Sequence, residues 1–150
     1  MKFSAIDFET TAYLDGGKNE PWQLGCAIVS EGEIIETKEW FFGTALTPQY
    51  ESIYDLWSEF SPYISGIRLV AHNMSTERTI LTRLAPLTPW GPWTDTLKFA
   101  KVKYPKLSSY RLSDLCETFG CVPEIAGRTW HDALFDAVAC AKLAIKIKAL

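Results

Sequence analysis

Residues 2–9, Lys-Phe-Ser-Ala-Ile-Asp-Phe-Glu, constrain this chain more than any other segment. The run starts apolar and ends in two carboxylates one residue apart. Side chains alternate across a strand, so Asp7 and Glu9 project to one side and Phe8 to the other. Like charges placed this close repel, and a largely buried sheet is a poor place for them without a cation. Hard divalent ions such as Mg²⁺ or Mn²⁺ take oxygen ligands, and carboxylates paired at a strand end suit them. The competing reading is a strand that runs out into solvent with both acids hydrated.

The C-terminal segment favours the first reading. Arg128-Thr129-Trp130-His131-Asp132-Ala133-Leu134-Phe135-Asp136-Ala137 leads into an apolar, alanine-rich stretch that reads as a helix. Asp132 can cap it, and Lys142, Lys146 and Lys148 fall in its last turns, where the helix dipole favours cations. Five helical residues turn about 500°, so His131 and Asp136 cannot share one face of a regular helix. His131 is therefore expected just before the helix, with Asp136 in its second turn facing the same cavity. Between these ends, Arg68–Ala71 reads as a short buried strand, followed by His72-Asn73-Met74-Ser75 and a helix over Thr76–Leu84. Ser75 is the expected N-cap and Glu77 lies in the first turn. A surface acid that complements the helix dipole would look the same. However, Glu77 is the only carboxylate between Phe60 and Trp93.

The remaining pattern predicts an antiparallel pair, Gln23–Ser30 and Glu33–Phe42, joined by a tight turn at Glu31-Gly32. Pro48–Ile64 is expected to be helical, with Tyr50, Ile53, Tyr54, Trp57 and Phe60 along one side and mostly in the core. A loop from Pro86 to Trp93, short helices from Asp95 and over Ser109–Phe119, and the final helix complete the layout. With 150 residues and 47% hydrophobic content, one domain spanning 1–150 with a full core is expected. Cys26, Cys116, Cys121 and Cys140 lack zinc-like or paired spacing, no apolar run approaches transmembrane length, and the first strand begins almost at Met1. A reduced, cytoplasmic setting away from membranes is the expectation.

Three stretches match a known family. Asp7-Phe8-Glu9-Thr10-Thr11, Ala71-His72-Asn73 and His131-Asp132-Ala133 through Asp136 resemble the motifs of DnaQ-like 3′–5′ exonucleases of the DEDDh type. Trp22-Gln23-Leu24-Gly25, Asp95-Thr96-Leu97 and Tyr110-Arg111-Leu112-Ser113-Asp114-Leu115 also fall where that family has similar stretches. The resemblance implies an α/β, ribonuclease H-like fold, a mixed five-stranded sheet flanked by helices. It implies two-metal phosphodiester hydrolysis with two Mg²⁺ or Mn²⁺ ions per site. Asp7, Glu9 and Asp136 would hold one ion, and Asp7 with Glu77 the second. His131 would act as general base, and Thr10, Thr11, His72 and Asn73 would contact the substrate. The implied substrates are 3′ ends of single-stranded DNA or RNA, and the implied partner is a polymerase or another replication or repair protein.

One departure stands out. The family's second motif ends in an aromatic residue and an aspartate, where this chain has Thr76 and Glu77. Glutamate keeps the charge but reaches about 1.5 Å further, and metal sites tolerate only small errors in ligand placement. That departure supports an alternative, a DnaQ-like domain that binds nucleic acid or a partner without cutting. A phosphohydrolase acting on small nucleotides is a third reading. A net charge of −3 argues against a broad duplex-gripping face. Lys98, Lys101, Lys103, Lys106 and Arg111 nonetheless form a local basic run, readable as a phosphate track or as solvated surface. Trp22 and Trp130, beside motif residues, could stack bases.

Overall fold

The computed structural model describes residues 1–12 and 18–150. β1 (Lys2–Thr10), β2 (Pro21–Ser30) and β3 (Glu33–Phe41) pair antiparallel, and β4 (Arg68–Ala71) and β5 (Trp93–Asp95) add in parallel beyond β1. The resulting mixed five-stranded sheet has the order β3-β2-β1-β4-β5. Glu31 (φ 49°) and Gly32 (φ 80°) both take positive φ in the β2–β3 turn, the geometry that matches a two-residue loop to the twist of its strands. Parallel pairing of β1 with β4 involves only Phe3, Ser4 and Ala5. Past that point, the β4-facing edge of β1 is left for other partners.

Alternation along β1 builds two cores. Phe3 and Ala5 join Ala27, Val29 and Val70 under α4 (Leu112–Phe119) and α5 (Ala133–Lys146). Ile6 and Phe8 join Leu24, Ile28 and Leu69 under α1 (Trp57–Phe60) and α2 (Ser75–Leu84). α3 (Thr96–Lys103) follows β5 directly and adds Ala100 to the first core. Asp7 and Glu9 continue the row of Phe3 and Ala5, so their side chains head toward α5.

Small residues let α5 lie close on the sheet. Ala133, Ala137, Ala139, Ala141 and Ala144 are all buried along it. At Gly25 of β2 the approach is tightest: a Cβ there would sit 2.1 Å from the Ala133 carbonyl oxygen. This contact fixes where α5 begins relative to β1 and β2.

Several boundaries differ from the sequence reading. The expected helix over Pro48–Ile64 reduces to α1 and a 3₁₀ turn at Ser61–Tyr63. Ahead of α1 the chain makes other bonds. Gly43 donates its N–H to the Glu51 carbonyl, and Ser52 and Asp55 exchange side-chain-to-backbone hydrogen bonds. Tyr50 and Tyr54 are consequently exposed, while Phe60 and Ile53 are core. The helix expected from Ser109 starts at Leu112, because Ser109 turns its hydroxyl to the Asp114 carboxylate. Trp93 belongs to β5 rather than to the preceding loop.

Candidate active site

Asp7, Glu9 and Asp136 each offer an oxygen, and these oxygens all lie within 4.8 Å of one another. β1 supplies the first two by alternation, and the first turn of α5 supplies the third. Glu77 approaches Asp7 from the first turn of α2, on the other face of the sheet. The residue is 3% exposed, which rules out the solvated surface acid. Its Oε1 accepts from the Phe8 N–H at 3.4 Å, on the β1 edge that β4 leaves open. Glu77 stands beside Asp7 but outside the three-acid group.

Electrostatics set this cluster apart. Asp7 Oδ2, Glu77 Oε2 and Asp136 Oδ1 are buried without a hydrogen-bond partner. An unpaired buried polar group costs about 1–3 kcal/mol, more when charged, so the unpartnered oxygens of the neighbouring Asp7 and Asp136 call for a compensating ligand. Burial, then the charges of Glu77, Asp136 and Glu9, holds the Asp7 carboxyl well above the usual carboxylate range. Burial pushes Glu77 up to about 7. Asp136 is pushed up to about 6 by burial and then by the charge of Glu9. Burial also raises Glu9. An all-oxygen, all-carboxylate donor set with orphaned buried atoms fits a hard divalent cation.

His131 lies in the turn before α5, as the helix count requires, and its φ of 69° is rare for a non-glycine residue. Such a conformation persists only where its surroundings enforce it. Asp132 caps α5 by accepting from Phe135 N at 3.0 Å. Arg128 grips Glu39 of β3 through two 2.6 Å bonds and reaches Asp132 at 3.2 Å. Gln23, 1% exposed, completes the clasp: its amide donates to Glu39 and Asp132 while its Oε1 accepts from Ala133 N. The first turn of α5 is thereby tied to β2 and β3, which holds His131 and Asp136 over β1. Glu39 and Arg128 were not singled out from the sequence. The readable signal was Gln23, a polar residue inside an otherwise apolar strand.

Asp95 does the equivalent for α2. Its carboxylate accepts from Asn73 N, Met74 N and Leu97 N at 2.9, 3.2 and 2.9 Å. The expected Ser75 N-cap is thus replaced. Met74 occupies the cap position with no side-chain cap, and Asp95 receives the preceding amides instead. His72 is held from within the protein. Its Nε2 meets the Tyr110 carbonyl at 2.8 Å, which can only accept, so Nε2 carries the proton and Nδ1 accepts from the Thr96 hydroxyl at 2.8 Å in the neutral ring. Burial lowers the His72 pKa, in line with a neutral ring. Both nitrogens are committed inside the protein, leaving His72 no polar ring atom for a substrate.

Asn73 is exposed at φ 62° beside this clasp. Thr10 accepts from Asn19 Nδ2, and the Thr11 hydroxyl accepts from Glu20 N at 2.9 Å. Thr11 also lines a groove of about 650 Å³ with Trp22, Phe41, Leu46 and Tyr50. Trp130 packs edge-on against Phe135 and lines a cavity with His131 and Asp136.

Known structures share this fold. Exonuclease X in complex with 5′-overhanging duplex DNA superposes with a TM-score of 0.76 at 24% identity, covering 97% of this chain and 90% of that one. The nuclease domain of 3′hExo, a DEDDh family member bound to rAMP, superposes with a TM-score of 0.70 at 17% identity, covering 98% and 91%. This chain has the fold of the DEDDh 3′-exonucleases. The ribonuclease H-like sheet implied by the motifs is therefore the observed one. Among curated proteins, a PolC-type DNA polymerase III of Halalkalibacterium halodurans is 29% identical over 165 residues, covering 95% of this chain. The chain spans 11% of that polymerase's length. No model of a known protein family matches the chain.

Proposed function

We propose that residues 1–150 act as a single metal-dependent 3′–5′ exonuclease domain that removes nucleotides from the 3′ end of DNA or RNA. The observation that carries this reading is the grouping of Asp7, Glu9 and Asp136 oxygens within 4.8 Å of one another, with Asp7 Oδ2 and Asp136 Oδ1 buried and unpartnered. The shared fold with 3′-exonucleases supports it.

Asp7, Glu9 and Asp136 would hold one Mg²⁺ or Mn²⁺ ion, and Asp7 with Glu77 a second. A divalent cation held there would offset the clustered negative charge and would supply Lewis-acid polarisation of the phosphate and the attacking water. His131, exposed beside Asp136 in the same cavity, takes the proton of that water as general base. The water oxygen bonds to phosphorus, the phosphorus–O3′ bond breaks with O3′ taking up a proton as the new 3′-hydroxyl of the shortened strand, and the last nucleotide leaves as a nucleoside 5′-monophosphate. Glu39, Arg128, Gln23 and Asp132 tie down the start of α5, next to His131. Thr10 and Thr11, at the end of β1, and Asn73, exposed ahead of α2, would contact a terminal nucleotide.

The match to a small part of a PolC-type polymerase motivates a polymerase as partner. All four cysteines are free, which suits a reduced, cytoplasmic setting. A binding-only domain is the second reading, motivated by the position of Glu77 outside the three-acid group. Single-stranded DNA and RNA carrying a 5′ label, incubated with Mg²⁺ or Mn²⁺, separate the two. The exonuclease yields a ladder shortening from the 3′ end that is absent with EDTA and in Asp7→Ala. Intact strands with both metals would leave the binding reading in its place.

A further inference from the structure

His131 and Asp136 share a cavity of about 340 Å³ whose other lining residues are Arg111, Leu112, Ser113 and Trp130. One wall is therefore the acid site and its histidine, and another is the start of α4. Arg111 stands at the N-cap of α4 with extended backbone, and its side chain takes no part in capping the helix. Among the described residues, the ion pairs are Met1–Glu31, Lys38–Glu36, Arg128–Glu39 and Arg128–Asp132, and none involves Arg111. Two neighbouring cations of the basic run have other contacts. Lys103 donates to the Ile147 carbonyl at 2.6 Å, and Lys101 lies over the Tyr110 ring. Arg111 is the member of that run that lines the cavity. The positive end of the α4 dipole adds potential of the same sign.

Charge balance says what this cation would meet. Four carboxylates and two divalent ions sum to zero formal charge, so a strand entering the cavity brings phosphate charge that they do not neutralise. The geometry of a 3′ end then says which phosphate. The last nucleotide of a strand ending in a 3′-hydroxyl has no phosphate beyond it. Every phosphate other than the scissile one lies on its 5′ side. We propose that Arg111 binds the phosphodiester immediately 5′ of the scissile one and so sets which linkage rests against the acids. This inference rests on the exonuclease reading. A guanidinium forms paired bonds to phosphate oxygens that a lysine ammonium cannot reproduce.

Neutralising one linkage at a time provides the test. Oligonucleotides carrying a single methylphosphonate at the last or the next-to-last linkage are titrated by fluorescence anisotropy in EDTA against wild type, Arg111→Gln and Arg111→Lys. Loss of Arg111 should weaken binding of the unmodified strand roughly ten- to a hundredfold, as for other hydrogen bonds to charged groups. It should also reduce the slope of log affinity against log salt by about 0.7, the effect of one contact on a single strand. Arg111→Lys should recover part of the affinity. A methylphosphonate at the next-to-last linkage should weaken wild type and leave Arg111→Gln unaffected. With Mn²⁺ present, Arg111→Gln should cut a trinucleotide poorly and a dinucleoside monophosphate, which lacks that phosphate, as well as wild type does. Equal sensitivity of wild type and Arg111→Gln to the methylphosphonate would overturn the inference while leaving the exonuclease reading intact. A wild type that neither binds nor cuts any strand would overturn both.

Discussion

Replacing Glu77 with Gln should stabilise the metal-free protein, by an amount that depends on pH. The folded-state pKa of Glu77 is raised from 4.5 to about 7, chiefly by burial. At about 1.36 kcal/mol per pKa unit, that is a differential of roughly 3 kcal/mol between protonated and ionised forms. Between pH 4.5 and 7 the native state holds this proton more tightly than the unfolded chain, so stability falls as pH rises. Below pH 4.5 the full contribution is present, and above pH 7 it is gone. Glutamine keeps an oxygen for the Phe8 N–H and carries no charge at any pH. In EDTA, Glu77→Gln should match wild type near pH 4.5 and exceed it at pH 8. For a chain of this size that gain corresponds to a Tm higher by roughly 6–12 °C. Saturating Mn²⁺ should narrow or reverse the difference, because a ligand held at about 100 times its Kd adds some 2.7 kcal/mol to the protein that binds it. Thermal melts of both proteins from pH 4.5 to 8, with and without Mn²⁺, provide the readout. A difference that stays constant with pH, or a variant less stable than wild type at pH 8 in EDTA, would refute the reasoning.

Gly25→Ala should lower stability by about 1–3 kcal/mol or more, as overpacking does, because its Cβ would meet the Ala133 carbonyl at 2.1 Å. Denaturant melts together with nuclease rates should show both falling, since the same shift displaces Asp136. Asp95→Asn retains at most part of the three amide contacts to Asn73, Met74 and Leu97. It should cost about 1–3 kcal/mol in urea unfolding and lower the Mn²⁺ affinity measured by calorimetry, because α2 carries Glu77. His131→Ala should lose roughly 10²–10⁴-fold in rate while its calorimetric Mn²⁺ affinity stays within a few-fold of wild type. Undiminished activity would remove His131 from the mechanism.

Position along the chain made much of this site readable. Asp7 and Glu9 followed from strand alternation, and the placement of His131 before α5 followed from helix geometry. Both arguments need only local periodicity. Glu77 was legible as a candidate but not as a buried group, because its burial depends on β4 ending early and leaving the Phe8 N–H open. The clasp of Gln23, Glu39, Arg128 and Asp132 joins residues from two strands, a loop and a helix cap. No spacing in the sequence announces such a network. His72 shows another limit: its place beside Asn73 in a motif suggested the substrate, and nothing in the sequence announced that Thr96 and Tyr110 hold its two ring nitrogens. The Pro48–Ile64 stretch has helical apolar spacing, but its start bonds to Gly43 and through Ser52 and Asp55 instead. Local propensity there yields to tertiary contacts.

The most direct test of the central claim follows the last nucleotide itself. A single strand labelled on the phosphate of its 3′-terminal linkage is mixed with protein and Mn²⁺, and the products are resolved from the earliest times. The account predicts that labelled nucleoside 5′-monophosphate appears first with wild type and does not appear with Asp136→Asn. Label emerging first in longer fragments, or released equally by Asp136→Asn, would contradict it.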